Sequence, residues 1–339
     1  MDFPPPVAYI NGLVLEGLGI LGGKPKLGKS WWVMSAGLTI ASGGVAFGNP
    51  DRQVTRAPVL LLALEDGPAR LQKRLNTLLP PSGTWPEYLT CITEWPRFQL
   101  GGLDVLSELI DRDGFKVVII DTLARVRKPR RGGGDAYLED TGALAEVHDM
   151  TRARPGLSVL MVHHNRKNDD PDDYVDALSG TTGISGVVDH ISVLQRGRGQ
   201  ADGILRFTSR DAAEHDTAFS LADGMWTESG DAALYAQSQA RRSLLDALND
   251  IFDGEAALTE LSEYVGKKPH TILEQLRGLQ EDGLVRQERP RGPWMTTEHT
   301  EIPKPEQGSF GHFGNFGGSL EGGNPDTKGP DPDGAEEDD

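Results

Sequence analysis

Short apolar runs separated by longer stretches of mixed polarity dominate residues 1 to about 230. VLLLALE (59–65), KVVIID (116–121) and LSVLMVHH (157–164) are apolar throughout rather than alternating, which predicts strands buried on both faces. Helical spacing follows elsewhere. Ser30 to Ala41 reads as one helix, and Tyr137 to Arg154 as another, with Leu144, Val147 and Met150 among its apolar positions. Strands alternating with helices predict an α/β fold with a mostly parallel sheet covered by helices.

From residue 234 to 296 the pattern becomes purely helical, then extended. Leu244, Leu245, Leu248, Ile251 and Phe252 recur at helical spacing, Thr259 to Val265 is a short helix, and Pro269 to Asp282 is a third that stops at Gly283. LVRQERPRGPWMTT then reads as a strand, a basic turn and a returning strand, the order of a winged helix. Residues 297–339 are rich in Gly, Pro and acids with little to bury, and are expected to be disordered; Phe310, Phe313 and Phe316 repeat there every three residues. Three zones result: 1–230, 234–296 and 297–339.

Composition adds bounds. The 339 residues suffice for one large and one small domain, and Cys91 stands alone, so a reducing, cytoplasmic setting without disulfides is expected. The start, MDFPPPVAYINGL, lacks a charged-then-apolar signal pattern, and no apolar run nears the ~20 residues of a membrane span, so a soluble protein without a membrane partner is expected. The net charge of −17 argues against a polyanion partner only at first sight. Eleven acids and two bases from Glu298 onward contribute −9 of it, while Arg125, Arg127, Lys128, Arg130 and Arg131 fall within seven residues. Such a local cluster is what meets a phosphate backbone.

The chemistry lies in GGKPKLGKSWW, residues 22–32. Gly23, Lys24, Pro25, Lys26, Leu27, Gly28, Lys29 and Ser30 have the spacing of a phosphate-cradling loop between a strand (from VLEGLGILGG) and a helix, with Trp31 directly after. Backbone N–H groups of such a turn wrap a β-phosphate; Lys29 would reach the β- and γ-phosphates, and the Ser30 hydroxyl would hold Mg²⁺. Asp121, ending an apolar strand, is the expected second magnesium residue. Glu65 is the candidate for activating water, with Asp66 in reserve. The expected cofactors are ATP and Mg²⁺.

The ordered series GKPKLGKSWW, LALEDGPARLQKRL, VVIIDTLARV, VLMVHHNRK and SGTTGISGVVDHISVLQR resembles the RecA-type ATPases, most closely the RepA-like hexameric replicative helicases of plasmids and phages. The resemblance covers residues 10 to about 228. It implies a RecA-like fold, water activation by Glu65, a Walker B role for Asp121 and γ-phosphate sensing by His164. It also implies two loops facing single-stranded DNA. The first, 125–137, offers Arg125, Arg127, Lys128, Arg130, Arg131 and Tyr137; the second, 165–183, offers Arg166 and Lys167, although its aspartates would repel phosphate. Family position points to Arg210, with Arg206 in reserve, as an arginine supplied to the next subunit of a homo-oligomeric ring.

The resemblance does not extend to the winged helix. There Lys267, Lys268, His270, Thr271, Gln275 and Arg277, with Arg286, Arg289 and Arg291 on the wing, suit duplex DNA, and docking of a replication protein is the alternative. The expected function is an ATP-hydrolysing motor on single-stranded DNA, a replicative helicase. The alternatives are an ATP-dependent replication initiator and a recombination mediator.

Overall fold

The computed structural model describes residues 5–79, 83–128, 136–164, 183–197 and 201–297. A small hairpin, β1 (Ala8–Ile10) and β2 (Val14–Leu15), opens the chain. The first half of the core then runs β3 (Gly17–Gly22), α1 (Lys29–Ser42), β4 (Val59–Ala63), α2 (Pro68–Leu78), β5 (Leu89–Ile92) and α3 (Gly102–Asp113). It continues with β6 (Val117–Asp121), α4 (Leu123–Val126), α5 (Ala136–Arg152), β7 (Ser158–Val162) and α6 (Gly183–Val187). Four strands complete it: β8 (His190–Arg196), β9 (Asp202–Ser209), β10 (His215–Ala222) and β11 (Met225–Asp231).

These strands form one nine-stranded sheet in the order β11-β10-β9-β8-β3-β7-β6-β4-β5. The pairings from β8 through β5 are parallel; β9, β10 and β11 extend the sheet antiparallel. The expected mostly parallel sheet is present, and its strands are apolar throughout for the anticipated reason. Leu61, Val117, Ile119 and Leu160 face the layer containing α1, while Leu60, Leu62, Val118 and Ile120 face the layer containing α3 and α5. Each fully buried aliphatic side chain of this kind contributes roughly 1.5–3 kcal/mol. Among the antiparallel strands β9 instead alternates: its Gly203, Leu205 and Phe207 are buried and their neighbours are not.

Aromatic contacts fasten the antiparallel edge to the core. Trp32 on α1 stacks on Phe47 at 4.9 Å, Phe47 meets Phe219 of β10 edge-on at 5.3 Å, and Phe219 meets Trp226 of β11 at 6.2 Å. A buried ion pair adds to this: Arg52 Nε lies 2.7 Å from Glu228, which also accepts from Asn49 at 2.9 Å.

The remaining elements are α7 (Ala232–Asp250), β12 (Glu255–Ala256), α8 (Leu258–Val265), α9 (Pro269–Glu281), β13 (Val285–Gln287) and β14 (Trp294–Thr296). Asp231 caps α7 by accepting from the amides of Ala233 and Leu234, both at 2.9 Å. Leu244, Leu248, Leu261, Ile272, Leu276 and Trp294 form a separate core beneath the three-stranded sheet β12-β14-β13. This is the expected winged helix. Among the described residues no helix is long and apolar enough to cross a membrane.

Candidate active site

Parallel register brings the exits of five strands to one end of the sheet. Leu21 of β3 pairs with Val162 of β7, Gly22 with Val193 of β8, and Ala63 of β4 with Asp121 of β6. The segments leaving these strands therefore meet in the crevice beyond their C-terminal ends, where open parallel sheets bind ligands.

The loop Gly23–Ser30 is shaped by its glycines. Gly28 has φ +100, and a Cβ there would approach Trp226 to 3.0 Å and Leu221 to 3.1 Å. Gly23 has φ +150, and a Cβ there would lie 2.6 Å from the Leu194 carbonyl. Trp226 Nε1 also donates to the Gly28 carbonyl at 3.0 Å, so β11 braces the loop from behind. Lys24, Pro25 and Lys26 are exposed, Leu27 is buried, and α1 begins directly after the loop at Lys29, so the loop ends on a helix N-terminus, a feature suited to anions.

Lys29 is buried, and its ammonium donates to the carbonyls of Gly23 at 2.7 Å and Lys24 at 2.8 Å. It also meets His164 Nδ1 at 3.1 Å. An ammonium can only donate, so His164 Nδ1 accepts and its proton sits on Nε2. That nitrogen faces Glu65 Oε1 at 3.6 Å, longer than a well-made hydrogen bond. Thr122 Oγ1 donates to the same oxygen at 3.2 Å. His164 first, and then the Thr122 hydroxyl and the Arg125 charge, hold Glu65 below its ordinary value against the effect of burial. Burial pushes Lys29 down to about 8, with Asp121 and Glu65 opposing it. Burial pushes Asp121 up to about 6; Glu65 and Asp66 add to that rise, and a hydrogen bond from Ser30 counters it.

The loop, the buried ammonium and the Ser30–Asp121 pair fit a nucleoside triphosphate with a hydrated Mg²⁺. The amides and Lys29 match phosphate, and a hydroxyl beside a carboxylate matches a cation that keeps most of its water. Asp66 is not a free alternative to Glu65. Arg74 donates to it at 2.5 Å, Arg70 lies 3.6 Å away, and the Arg74 guanidinium sits 5.3 Å from the centre of the Trp31 ring. Trp31, expected among the nucleotide contacts, is thus packed beneath an arginine at the end of the loop.

The other expected residues distribute unevenly. Arg125 and Lys128 are exposed, but Arg127 is buried at 9 %. This corrects the expectation of Arg127 as a presented DNA contact: it directly follows α4, where Val126 and Arg127 turn inward together while Arg125 and Lys128 face out. Arg130, Arg131, Arg166, Lys167 and the tail 298–339 lie outside the described residues, as does the Tyr137 side chain. Ser209 of β9 pairs with His190 at the start of β8, so Arg210 stands at the end of the sheet opposite its own phosphate loop. There its Nη2 donates to the Gly186 carbonyl at 2.8 Å, and Asp189 lies 3.8 Å away. Arg206 faces Asp216 at 3.8 Å across the sheet. On the winged helix, Lys267, Lys268, His270, Arg277, Arg286, Arg289 and Arg291 are exposed, and Thr271 and Gln275 are half-buried.

Sequence reasoning did not find Thr122, Arg74 or Trp226. Thr122 had a signal, because it follows Asp121 directly; the other two are brought in by packing alone.

Comparison with known proteins agrees with this geometry. Residues 2–170 match the AAA domain family, and residues 238–287 match the bacterial regulatory proteins of the arsR family. No curated protein matches the sequence. Similar solved structures include a DnaB-like replicative helicase studied for its interactions with primase. It is 11% identical at a TM-score of 0.49, over 62% of this chain and 58% of that one. Another is a KaiC-like protein from the hyperthermophilic archaeon Pyrococcus horikoshii, 12% identical at a TM-score of 0.45, over 65% of this chain and 93% of that one. The AAA-domain match takes in the phosphate loop, Glu65, Asp121 and His164. It lies ahead of the arsR-family match, which falls on the separate core of the C-terminal winged helix.

Proposed function

We propose that the protein is an ATP-hydrolysing motor acting on DNA, and specifically a RepA-like replicative helicase. The observation that carries this reading is the line Lys29–His164–Glu65. It joins the phosphate loop to the water-activating carboxylate and to the strand end from which the second DNA loop departs. In this reading the loop amides and Lys29 bind the triphosphate, while Ser30 and Asp121 hold Mg²⁺. When bound, Mg²⁺ offsets the charge of the phosphates and of the transition state. Glu65, kept ionised by its neighbours, accepts the proton of the attacking water. His164 responds at Nδ1 to any shift of the Lys29 ammonium toward phosphate, and its Nε2–H keeps Glu65 oriented. Arg210, remote from its own loop, serves the next subunit of a homo-oligomeric ring, and Arg125 and Lys128 meet single-stranded DNA.

ATPase assays with and without single-stranded DNA test this reading. The wild type is expected to be stimulated by DNA, and Lys29→Ala to lose about a hundredfold or more in turnover. Full activity in Lys29→Ala would remove the nucleotide reading. A second reading, an ATP-dependent initiator or recombination mediator, is favoured by the exposed arginines of the wing at Arg286, Arg289 and Arg291. These suit duplex DNA, with a docked replication protein as the other partner class. ATP-driven separation of a forked duplex decides between the readings, because an initiator or mediator leaves the strands paired.

A further inference from the structure

The one-turn helix α4 is too short to hold itself together and is fastened from outside at both ends. At its start, Thr122 donates to Glu65 at 3.2 Å. At its close, Arg97 Nη1 donates to the Arg127 carbonyl at 2.5 Å and to the Ala124 carbonyl at 3.3 Å. These are carbonyls of a helix end, which otherwise lack intrahelical partners, and a guanidinium can take two of them at once. Arg97 is itself held firmly. Phe98 beside it is buried, Trp95 Nε1 donates to the Gly102 carbonyl at 3.0 Å, and the amides of Leu100 and Gly102 both donate to the Arg97 carbonyl. Between the two fastenings, the Arg125 side chain shares a cleft of about 450 Å³ with Glu65, Trp95 and Arg97.

We propose that Arg97 is a positioning residue that couples the basic loop to the water-activating carboxylate. By fixing the C-terminal end of α4, it keeps Arg125 at the mouth of the cleft shared with Glu65. A nucleic-acid phosphate that engages Arg125 is then felt at Glu65 through Thr122 and through loss of the nearby positive charge. Arg97 touches neither nucleotide nor the reacting water; it acts through α4. The proposal rests on the reading of the protein as a DNA-stimulated ATPase.

The test is steady-state ATP hydrolysis by the full chain, titrated with an oligothymidylate, in wild type, Arg97→Ala and Arg97→Lys. Arg97→Ala is expected to lower the DNA-stimulated rate about tenfold more than the basal rate, and Arg97→Lys, with one ammonium for the same carbonyls, to recover part of the stimulation. The pH profile supplies a readout that a purely structural role would not move. DNA is expected to shift the acid limb of the wild-type profile upward, as the positive charge beside Glu65 is drawn away, and to leave that limb in place in Arg97→Ala. Equal losses of basal and stimulated rates, or stimulation undiminished in Arg97→Ala, overturn the proposal while the ATPase reading stands. A wild type with Lys29-dependent hydrolysis but no response to DNA overturns both the proposal and the DNA reading.

Discussion

Asp121 illustrates how one buried carboxylate can oppose folding at a site proposed to need its charge. Its folded value of about 6 lies above the ordinary 3.8, so the folded state prefers the protonated form. Any stability this provides is fully present below pH 3.8 and is lost as pH rises through 6. At pH 8 the ionised carboxylate, in the absence of a cation, costs up to about 3 kcal/mol. Asp121→Asn is therefore expected to raise the melting temperature of the nucleotide-free protein by about 5 °C or more at pH 8 and to leave it nearly unchanged at pH 4. The same substitution should abolish hydrolysis. Thermal denaturation at the two pH values checks this, and an equal shift at both would show that the effect is not electrostatic. That Lys29, Ser30, Asp121 and Glu65 would gather at one end of the sheet was legible in the sequence because each follows an apolar strand or a glycine-spaced loop. The state of their charges was not, since it depends on which neighbours burial brings within a few ångströms.

At the scale of elements, β10 and β11 do more than widen the sheet. Through Trp226 they back the phosphate loop at Gly28, so loop shape and edge packing are one problem. Trp226→Ala should cost roughly 3–5 kcal/mol, and the Gly28 carbonyl would lose its donor. Denaturant unfolding measures the first effect and nucleotide affinity the second. Loss of stability with unchanged affinity would show that the loop keeps its shape unaided. The contrast in legibility has a physical basis. The strands β4, β6 and β7 are buried on both faces and stand out as apolar runs, whereas β11, MWTESGD, buries only Trp226 and carries four polar side chains against two apolar ones. The helix α4 left no periodic signal in four residues, and so the inward turn of Val126 and Arg127 at its close went unforeseen.

At the scale of the whole molecule, Arg210 and the phosphate loop occupy opposite ends of the sheet. A chain carrying Lys29→Ala still offers an intact arginine, and a chain carrying Arg210→Ala still offers an intact loop. Mixing the two inactive variants is expected to restore a fraction of wild-type hydrolysis, and titration of one against the other measures it. No recovery at any ratio would indicate that Arg210 does not act across a boundary between copies. The winged helix was legible as a whole from its three amphipathic helices and basic turn, because each of its helices must bury one face in the same small core.

If Arg210 serves a neighbouring copy, its separation from the phosphate loop along the strand direction also gives the molecule a front and a back. Copies that complete one another's sites must queue in the same orientation, nose to tail, and never face to face. Whether the queue closes on itself or runs on as a fibre, every member would meet a strand of nucleic acid from the same side, so a sense of travel would be inherited from the sheet itself.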